Sequence, residues 1–345
     1  MEYTTKIDGK VFYFRIAGSG PPLVLLHASP MSSSMFLPFI EKLSDSFTVI
    51  APDTPGYGLS DPLSVEPRSL SDYTTAFHLL FQRLGLEKFS IYGSATGAQL
   101  GIRYALEYPD RLNTLYLDNV AHFSESEVAG IMDNYFPDFN PKADGSHIQG
   151  IWNNVIDLFE YFPWCNATDE YRLNLPYPPP PVYQYLFFEY LLVCDRYDLA
   201  YKLAFKHEDK KHIHSLTVPT EIFRWESSIV KKYTDRIFED VLAENIRSTG
   251  IASEEEDRYG FMANKIKSLK SELSPSVQLK NVEPFTPVLD QQVLHELASL
   301  PPFPKLDMDG KYLMQAWSSL AEFEDLSLDQ KNKLLYAWSK SGILA

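Results

Sequence analysis

The most informative chemical feature is the turn at residues 93–97, which lies between a predicted strand at 89–92 and a predicted helix at 98–108. Two glycines and a central residue form the frame G-x-Nuc-x-G, in which a tight strand-to-helix turn raises the central side chain above the sheet edge. The glycines Gly93 and Gly97 are needed because a Cβ there would collide with the neighbouring strand or helix. The central residue is Ala95, whose methyl group cannot attack a carbonyl.

Three further segments have an informative order and spacing: LHASP at residues 26–30, APDTPGYGLSD at 51–61 and YPDR at 108–111. They resemble the HGxP oxyanion loop, the PDxxGxGxSD turn and the turn that closes the elbow helix in proteins of the α/β-hydrolase fold. The resemblance covers about residues 10–120 and is specific because four motifs occur together. It implies an α/β fold with a mostly parallel central sheet flanked by helices, and a site at the elbow.

The resemblance also indicates where a Ser-His-Asp triad would lie. The position of the acid, after a predicted strand at 218–225, matches Ser228, with Glu226 two residues earlier. The histidine would follow a predicted last strand at 277–282, but residues 281–286 contain none, and His295 falls in a helical pattern. Because all three triad positions depart from the family, we expect a chain that does not use acyl-enzyme chemistry.

The anion-stabilising part of such a site does not depend on the side chain at position 95. The resemblance implies that the backbone N–H groups of Thr96 and Ser29, beside Ala28, converge at a helix N-terminus, where they would polarise a carbonyl or bind a carboxylate. The alternative is that this loop is inherited with the fold and unused. His27, in the same loop, is expected to brace it.

Three other residues are candidate bases. His122 follows the strand predicted at 112–117, at the carboxyl edge where α/β sheets bind ligands, although a hydrogen-bonding role in the loop explains it equally simply. His147 follows Asp144 and Ser146, either of which would cap a helix there. Glu226 can supply a carboxylate, but exposure is the commoner fate of glutamate.

The sequence favours no metal and no cofactor. His207, His212 and His214 lie near acidic residues, but their spacing fits no zinc pattern and their surroundings are typical of a solvated face. Neither GxGxxG nor GxxxxGK[ST] occurs, so nothing indicates a dinucleotide or a nucleoside triphosphate.

The order of elements predicts an α/β core with additions. Strands are expected at 11–17, 23–26 and 47–51 besides those already named, and a helix near 233–245. Residues 1–122 and 216–300 are assigned to the core, 123–215 to an inserted cap, and 301–345 to a C-terminal helical extension. Its last helix has a capping box, Ser327 with Gln330, and Gly342 beyond its end.

Aromatic residues make up 14% of the chain and concentrate in the predicted cap, where Trp152 and Trp164 are candidates to line an apolar pocket. An aromatic stripe is also typical of core packing. Some of these side chains must therefore hold the cap together.

The 345 residues carry 31 basic and 46 acidic side chains, a net charge of −15, which disfavours nucleic acid and membrane surfaces as partners. Two cysteines cannot form a disulfide framework, and the first twenty residues lack a signal-peptide pattern, so a cytoplasmic protein is expected. A homo-oligomer remains possible on sequence grounds.

Three functions remain open. The first is an enzyme that acts on a small or medium apolar carbonyl or carboxyl compound without a serine nucleophile, using a retained oxyanion hole. The second is a non-catalytic, ligand-binding pseudo-hydrolase. The third is a serine hydrolase inactivated by substitution at Ala95, and it ranks last because fold analogy cannot supply a reaction when the site residues are absent.

Overall fold

The computed structural model describes residues 1–252, 257–269, 276–285 and 291–341. Its contacts divide the chain into two compact units: residues 1–132 with 197–285, and residues 133–196 with 286–345. These boundaries differ from the predicted ones. Residues 123–132 and 197–215 belong to the first unit, whereas the tail joins residues 133–196 in the second.

All the strands described lie in the first unit and form one nine-stranded sheet, in the order β8-β7-β6-β5-β3-β4-β2-β1-β9. Their bounds are β1 Glu2–Ile7, β2 Lys10–Ala17, β3 Pro22–Leu26, β4 Thr48–Pro52, β5 Phe89–Ser94, β6 Leu112–Asp118, β7 Thr220–Trp225, β8 Ile246–Ala252 and β9 Glu283–Pro284. Strands β4, β3, β5, β6, β7 and β8 are parallel to one another. At the other edge, β2 pairs antiparallel with β4, β1 with β2, and β9 with β1.

The predicted buried strands at 23–26 and 47–51 are confirmed, because β3 and β4 are mainly apolar and buried along their whole length; β5 is equally buried although it contains two serines and a glycine. The prediction of a last strand at 277–282 is wrong: residues 276–282 have no regular structure, and β8 lies at Ile246–Ala252. The sequence of β8 is IRSTGIA, which lacks a continuous apolar run. This strand pairs only with β7 among the strands described, and such an edge strand needs less apolar sequence than a central one.

The helices, in chain order, are α1 Leu37–Leu43, α2 Leu70–Arg83, α3 Thr96–Glu107, α4 Glu125–Asn134, α5 Ser146–Glu160, α6 Pro180–Leu192, α7 Leu199–His207, α8 Lys210–His214, α9 Lys231–Asp235, α10 Arg258–Ser268, α11 Gln291–Leu297, α12 Lys311–Ser319 and α13 Leu328–Ser341. The predicted helix at 233–245 is mostly wrong: α9 is short, a 3-10 turn covers Arg236–Glu239, and residues 240–245 are irregular. Helix α10 was not predicted.

The second unit contains α5, α6 and α11–α13, packed through aromatic rings. The Trp152 ring meets that of Tyr312 at 5.8 Å between centroids and 90°, and Phe303 meets Trp338 at 5.2 Å. The capping box is confirmed, since Ser327 N–H donates to Gln330 Oε1 (3.0 Å) and Gln330 N–H donates to Ser327 Oγ (3.2 Å). Gly342 lies outside the described residues.

Within the part of the chain that the structure describes, every helix is too short or too polar to cross a bilayer.

The close packing of Gly97 at the junction of β5 and α3 leads to a first prediction. A Cβ on Gly97 would stand 2.0 Å from the carbonyl oxygen of Leu26 and 2.8 Å from that of His27, and backbone atoms cannot move aside cheaply. We expect Gly97→Ala to lower the free energy of unfolding by about 3 kcal/mol, measured by urea denaturation. The control is Gly130→Ala in α4, where no atom lies within 4 Å of the added Cβ. That variant should be as stable as the native chain or up to about 1 kcal/mol more stable, and an equal loss in both variants would contradict the prediction.

Candidate functional site

The turn between β5 and α3 places Ala95 at its apex with φ +49° and ψ −113°. Backbone with positive φ is strained for a residue that has a Cβ, at a cost of about 1–3 kcal/mol. The sharp turn is held on both sides: Ala95 N–H donates to the carbonyl of Asp118 (3.0 Å), and Ala95 C=O accepts from the N–H groups of Ala98 (2.9 Å) and Gln99 (3.1 Å). The elbow geometry is therefore present, with a methyl group where a nucleophile would stand.

The residue after the apex is Thr96, the first residue of α3. Its N–H belongs to the first turn of the helix, where no carbonyl of the same helix can accept it. Its side chain is 2% exposed, and its hydroxyl has no hydrogen-bond partner among the described residues. Unpaired donors at a helix N-terminus suit an anionic or carbonyl oxygen.

The loop at residues 27–29 is buried and fixed by side chains. His27 Nε2 accepts from Thr54 N–H (2.8 Å), so Nδ1 carries the proton and donates to the carbonyl of Ala28 (3.0 Å). Burial lowers the pKa of His27, which keeps the ring neutral. This histidine braces the loop that also contains Ser29.

Tyr57 connects a second loop of the first unit to the segment before α7. Its hydroxyl donates to the carbonyl of Tyr197 (2.7 Å) and accepts from Ala200 N–H (3.2 Å). Burial raises the pKa of this phenol well above its ordinary value, so the hydroxyl remains protonated as a donor. The predicted PDxxGxGxSD turn thus serves as a fixed support.

Ser228, which the sequence resemblance matches to the position of the acid, follows β7 and is engaged in hydrogen bonds of its own. Its Oγ donates to Asn119 Oδ1 (2.9 Å) and accepts from Val230 N–H (3.2 Å). Asn119 has φ +53°, a conformation that asparagine tolerates, and its Nδ2 donates to Ser94 Oγ (3.4 Å). A chain of neutral hydrogen bonds therefore runs from the residue before the apex to Ser228.

Asp118, the last residue of β6, is a buried carboxylate that sequence reasoning missed. Its Oδ1 accepts from Trp225 Nε1 (2.9 Å) and Arg258 Nη2 (2.7 Å), and its Oδ2 accepts from the hydroxyl of Tyr92 (2.9 Å). Burial, with the Asp118 charge as the second cause, raises the pKa of Tyr92 well above its ordinary range. With three donors already in place, this carboxylate is a fixed anchor.

Arg258, the first residue of α10, carries the compensating charge. Its guanidinium lies 4.5 Å from the Trp225 ring centroid, and its Nη2 also donates to Asn119 Oδ1 (3.3 Å). No motif marked this arginine, because neither α10 nor the strand before it was predicted. Asp118 and Asn119 did carry a signal, since they directly follow the predicted strand at 112–117, at the carboxyl edge of the sheet.

Two of the candidate bases have other partners in the first unit. The backbone N–H of His122 donates to the carbonyl of Tyr233 (3.1 Å), and the ring Nδ1 of His122 accepts from Lys210 N–H (3.4 Å). The side chain of Glu226 is 59% exposed and lies 3.9 Å from Lys231 Nζ.

His147 lies in the second unit, in the first turn of α5, and is 1% exposed. Its Nδ1 accepts from Lys142 N–H (3.1 Å), so Nε2 carries the proton and donates to Asn332 Oδ1 (3.2 Å). Burial lowers the pKa of His147, and its ring meets Trp317 at 4.8 Å and 83°. Asp144 Oδ1 accepts from Ser146 N–H (3.0 Å), but the N-cap position of α5 is occupied by Gly145, so neither Asp144 nor Ser146 is the N-cap residue that the sequence predicted.

The two tryptophans proposed for a pocket lie in the second unit. Trp152 is 2% exposed and packs among the rings of Tyr183, Phe187 and Tyr312, a core position. Trp164 meets Tyr135 at 5.7 Å, and its buried Nε1 has no hydrogen-bond partner among the residues described.

A buried carboxyl group that the sequence did not single out lies between α7 and α8. Burial raises the pKa of Glu208 well above its usual range, and its Oε2 has no hydrogen-bond partner in the described part of the chain. The preceding His207 is bound through Nδ1 to Gln99 Oε1 (2.9 Å), one turn beyond the apex in α3. Burial, followed by the His212 charge, lowers the pKa of His207 to about 3. Neutral carboxyl groups of this kind are typical of proton-transfer sites but also occur as structural groups.

The parallel sheet with antiparallel strands at one edge, the strained turn after β5 and the helix behind it define the α/β-hydrolase fold. A family model described as the alpha/beta hydrolase fold matches residues 21–149. Epoxide hydrolase A from Mycobacterium thermoresistibile superposes with a TM-score of 0.61 at 18% identity, over 80% of this chain and 99% of that one. The predicted fold class is confirmed.

Two curated relatives resemble shorter stretches. An uncharacterized hydrolase of Saccharomyces cerevisiae is 33% identical over 120 residues, 34% of this chain and 41% of that protein. A haloalkane dehalogenase of Mycolicibacterium paratuberculosis is 35% identical over 106 residues, 29% of this chain and 34% of that protein. In both cases the match spans less than half of the relative.

Strain at the apex makes a second prediction. Ala95→Gly removes the Cβ that a φ of +49° crowds, so we expect the free energy of unfolding to rise by about 1 kcal/mol despite the greater freedom of glycine in the unfolded chain. The matched control is Ala105→Gly within α3, which should lower it by about 1 kcal/mol or more. Urea denaturation of the native chain and the two variants measures both changes. A lower free energy of unfolding in both variants would show that the apex is not strained.

The burial of His147 makes a third prediction. Its folded pKa lies below its unfolded value, so its contribution to stability is complete above about pH 6.5 and is lost as the pH falls. His147→Gln should destabilise the second unit by about 1–2 kcal/mol at pH 7.5 through weakened hydrogen bonds. The difference in free energy of unfolding between the native chain and His147→Gln should narrow toward pH 5, as followed by urea denaturation. If this difference widens instead, His147 is stabilised in its protonated form by the folded state, and the prediction is wrong.

Proposed function

We propose that this chain is a ligand-binding protein with the α/β-hydrolase fold, which holds a small or medium apolar molecule through a carbonyl or carboxylate group and forms no covalent intermediate. The observation that carries the proposal is the combination of an intact, strained elbow with Ala95 at its apex and Ser228 committed to Asn119. Acyl-enzyme chemistry of the triad type needs a nucleophile, a base and a carboxylate that orients the base and stabilises its charged form. Ala95 and Ser228 supply neither the first nor the third.

The retained geometry favours binding. A strained turn costs stability and persists where the surrounding structure and its use maintain it. The N–H of Thr96 and its unpaired, buried hydroxyl offer two donors beside the apex methyl group. This combination suits a ligand oxygen attached to an apolar body, because the donors satisfy the oxygen while the methyl group leaves room for carbon.

An enzyme that acts without a serine nucleophile is the second candidate, favoured by Glu208. A carboxyl group kept neutral by burial can donate a proton to a substrate oxygen, as a general acid must. The segment that carries it packs on α3 through the bond of His207 to Gln99. The remaining candidate bases, His122, His147 and Glu226, are engaged in other contacts.

The inactivated serine hydrolase fits least well. It requires a histidine and an acid, and residues 253–290, which follow β8 in the chain, contain no histidine. We extend the proposal to a cytoplasmic protein whose partner is a small molecule, with neither nucleic acid nor a membrane involved, since a net charge of −15 opposes both surfaces.

The test measures turnover and binding on the same samples. The native chain, Ala95→Ser and Glu208→Gln are assayed against activated esters, lactones and enolisable ketones, and binding of medium-chain ketones and carboxylates is followed by thermal denaturation. We expect saturable binding by the native chain, with a shift in Tm that grows with ligand concentration, and no turnover by any of the three proteins.

The other outcomes discriminate between the functions. Turnover by the native chain that falls at least a hundredfold in Glu208→Gln would establish the second candidate, since general acid catalysis contributes about 10²–10⁴-fold. Esterase activity confined to Ala95→Ser would reveal a hidden base and overturn the proposal in favour of the inactivated hydrolase.

A further inference from the structure

An open cleft in the first unit offers space for a ligand outside the elbow. It is formed by the turn that joins β1 to β2, the loop after β4 and one side of α2, and its volume is about 170 Å³. A cavity of about 150 Å³ with apolar walls is large enough to hold benzene. The cleft therefore has room for a molecule of that size, and its open side gives access from solvent. Among the described residues that line it, none belongs to the elbow or to the loop at residues 27–29.

Much of the lining is apolar. Phe12 in β2, Pro55 in the loop after β4 and Ala76 in α2 all line the cleft and are buried. Leu63 and Leu79 extend the apolar surface outward, and Leu79 is 40% exposed. Concave sites of this kind, with apolar walls and a few polar groups, are typical of small-molecule binding.

Asp61 is the polar group that is fixed most firmly in this lining. Its Oδ2 accepts from Val11 N–H (2.8 Å), its backbone N–H donates to the carbonyl of Val11 (2.9 Å), and its own carbonyl accepts from Gly56 N–H (3.1 Å). Its Oδ1 has no hydrogen-bond partner among the described residues and is not enclosed. One carboxylate oxygen is therefore held in place by the fold while the other is available to a ligand.

The charge of the cleft is negative. Three aspartates, Asp8, Asp61 and Asp72, line it against one lysine, Lys10, a net charge of −2. Asp8 is exposed in the turn after β1, and Asp72 Oδ2 holds the start of α2 by accepting from Arg68 N–H (2.8 Å). A concave surface with one sign of charge attracts ligands of the other sign.

We propose that this cleft binds a small organic ammonium compound whose apolar body is about the size of a phenyl ring. One ammonium N–H donates to Asp61 Oδ1, and the apolar body packs against Phe12, Pro55 and Ala76. A carboxylate ligand would meet like charges, and an inorganic cation would leave the apolar walls uncovered. This site is separate from the elbow, and the proposal does not depend on the proposed function.

Lys10 weakens the attraction of the cleft for a cation. It is half-buried and makes no ion pair with any residue that the structure describes. Its ammonium group ends a flexible four-carbon chain and carries the same charge as the proposed ligand. Lys10 therefore competes with the ligand for the aspartates, and its removal should tighten binding.

The first experiment compares phenethylamine, which is protonated at about pH 7, with phenethyl alcohol, its uncharged analogue. Binding to the full chain is followed by NMR of isotope-labelled isoleucine and leucine methyl groups. Ile7, Leu63 and Leu79 report on the cleft, and Leu26, which leads into the loop at residues 27–29, reports on the elbow. We expect saturable shifts at the three cleft residues, with a dissociation constant at least fivefold lower for the amine than for the alcohol.

Three results would overturn the proposal. Equal affinity for the two compounds would remove the ammonium group from it. Saturable shifts at Leu26 without shifts at the cleft residues would place binding elsewhere. The absence of any saturable shift would leave the cleft without this class of ligand. A failure of the proposed function is read separately, in the binding of ketones and carboxylates.

The second experiment tests Asp61 with a variant of nearly the same shape. Asp61→Asn keeps an oxygen that can accept from Val11 N–H, but it replaces the available oxygen by an NH₂ group that cannot accept from an ammonium. We expect phenethylamine to bind Asp61→Asn at least fivefold more weakly than the native chain. Asp110→Asn is the control, because Asp110 is exposed outside the cleft and its loss changes the net charge equally.

Lys10→Gln should bind phenethylamine about two- to fivefold more tightly, since it removes an exposed like charge. Urea denaturation of each variant checks that it is folded. Equal weakening in Asp61→Asn and Asp110→Asn would show that only net charge matters and would overturn the role of Asp61. Weaker binding by Lys10→Gln would show that the lysine holds the ligand, which contradicts the assignment of a cation.

Discussion

The backbone conformation of one residue organises the functional half of this molecule. Ala95 has a positive φ, and it is held there by its hydrogen bond to Asp118 and by the first turn of α3. Gly93 and Gly97 can lie so close to their neighbours only because they have no Cβ. Once this turn is fixed, the N-terminus of α3, the end of β6 and the loop at residues 27–29 are fixed with it, whatever side chain occupies the apex.

The side chains around the turn support it with a closed set of contacts. Asp118 accepts from three donors on three elements, and Arg258 supplies the compensating charge while stacking on Trp225. A buried carboxylate with several donors and a cation is stable only when the geometry is complete. The arrangement therefore ties β5, β6, β7 and α10 together.

The elbow and the buried strands were predictable because their sequence signals are local. Continuous apolar runs at β3 and β4 and the glycine frame at residues 93–97 leave few alternatives. Strand β8 was not predictable, because an edge strand with Arg247, Ser248 and Gly250 lacks the apolar run that marks a buried strand. Because β8 was not predicted, the last strand was expected too late in the chain, at 277–282. For the same reason Arg258, which follows β8, was not recognised as part of the site. The second unit was also missed as a single body, since nothing local in the sequence shows that residues 133–196 pack with the tail.

That second unit has a consequence for how the chain is synthesised. Its two segments are separated by a long stretch of the first unit, and His147 and Asn332, which bond to each other, are 185 residues apart. At about 5–20 residues per second, the ribosome needs roughly ten seconds or more to reach Asn332 after it has made His147. During that time Trp152 and its neighbours lack the Tyr312 ring that covers them in the finished protein. The aromatic cluster around Trp152 therefore cannot be completed until the residues of α12 and α13 have been made.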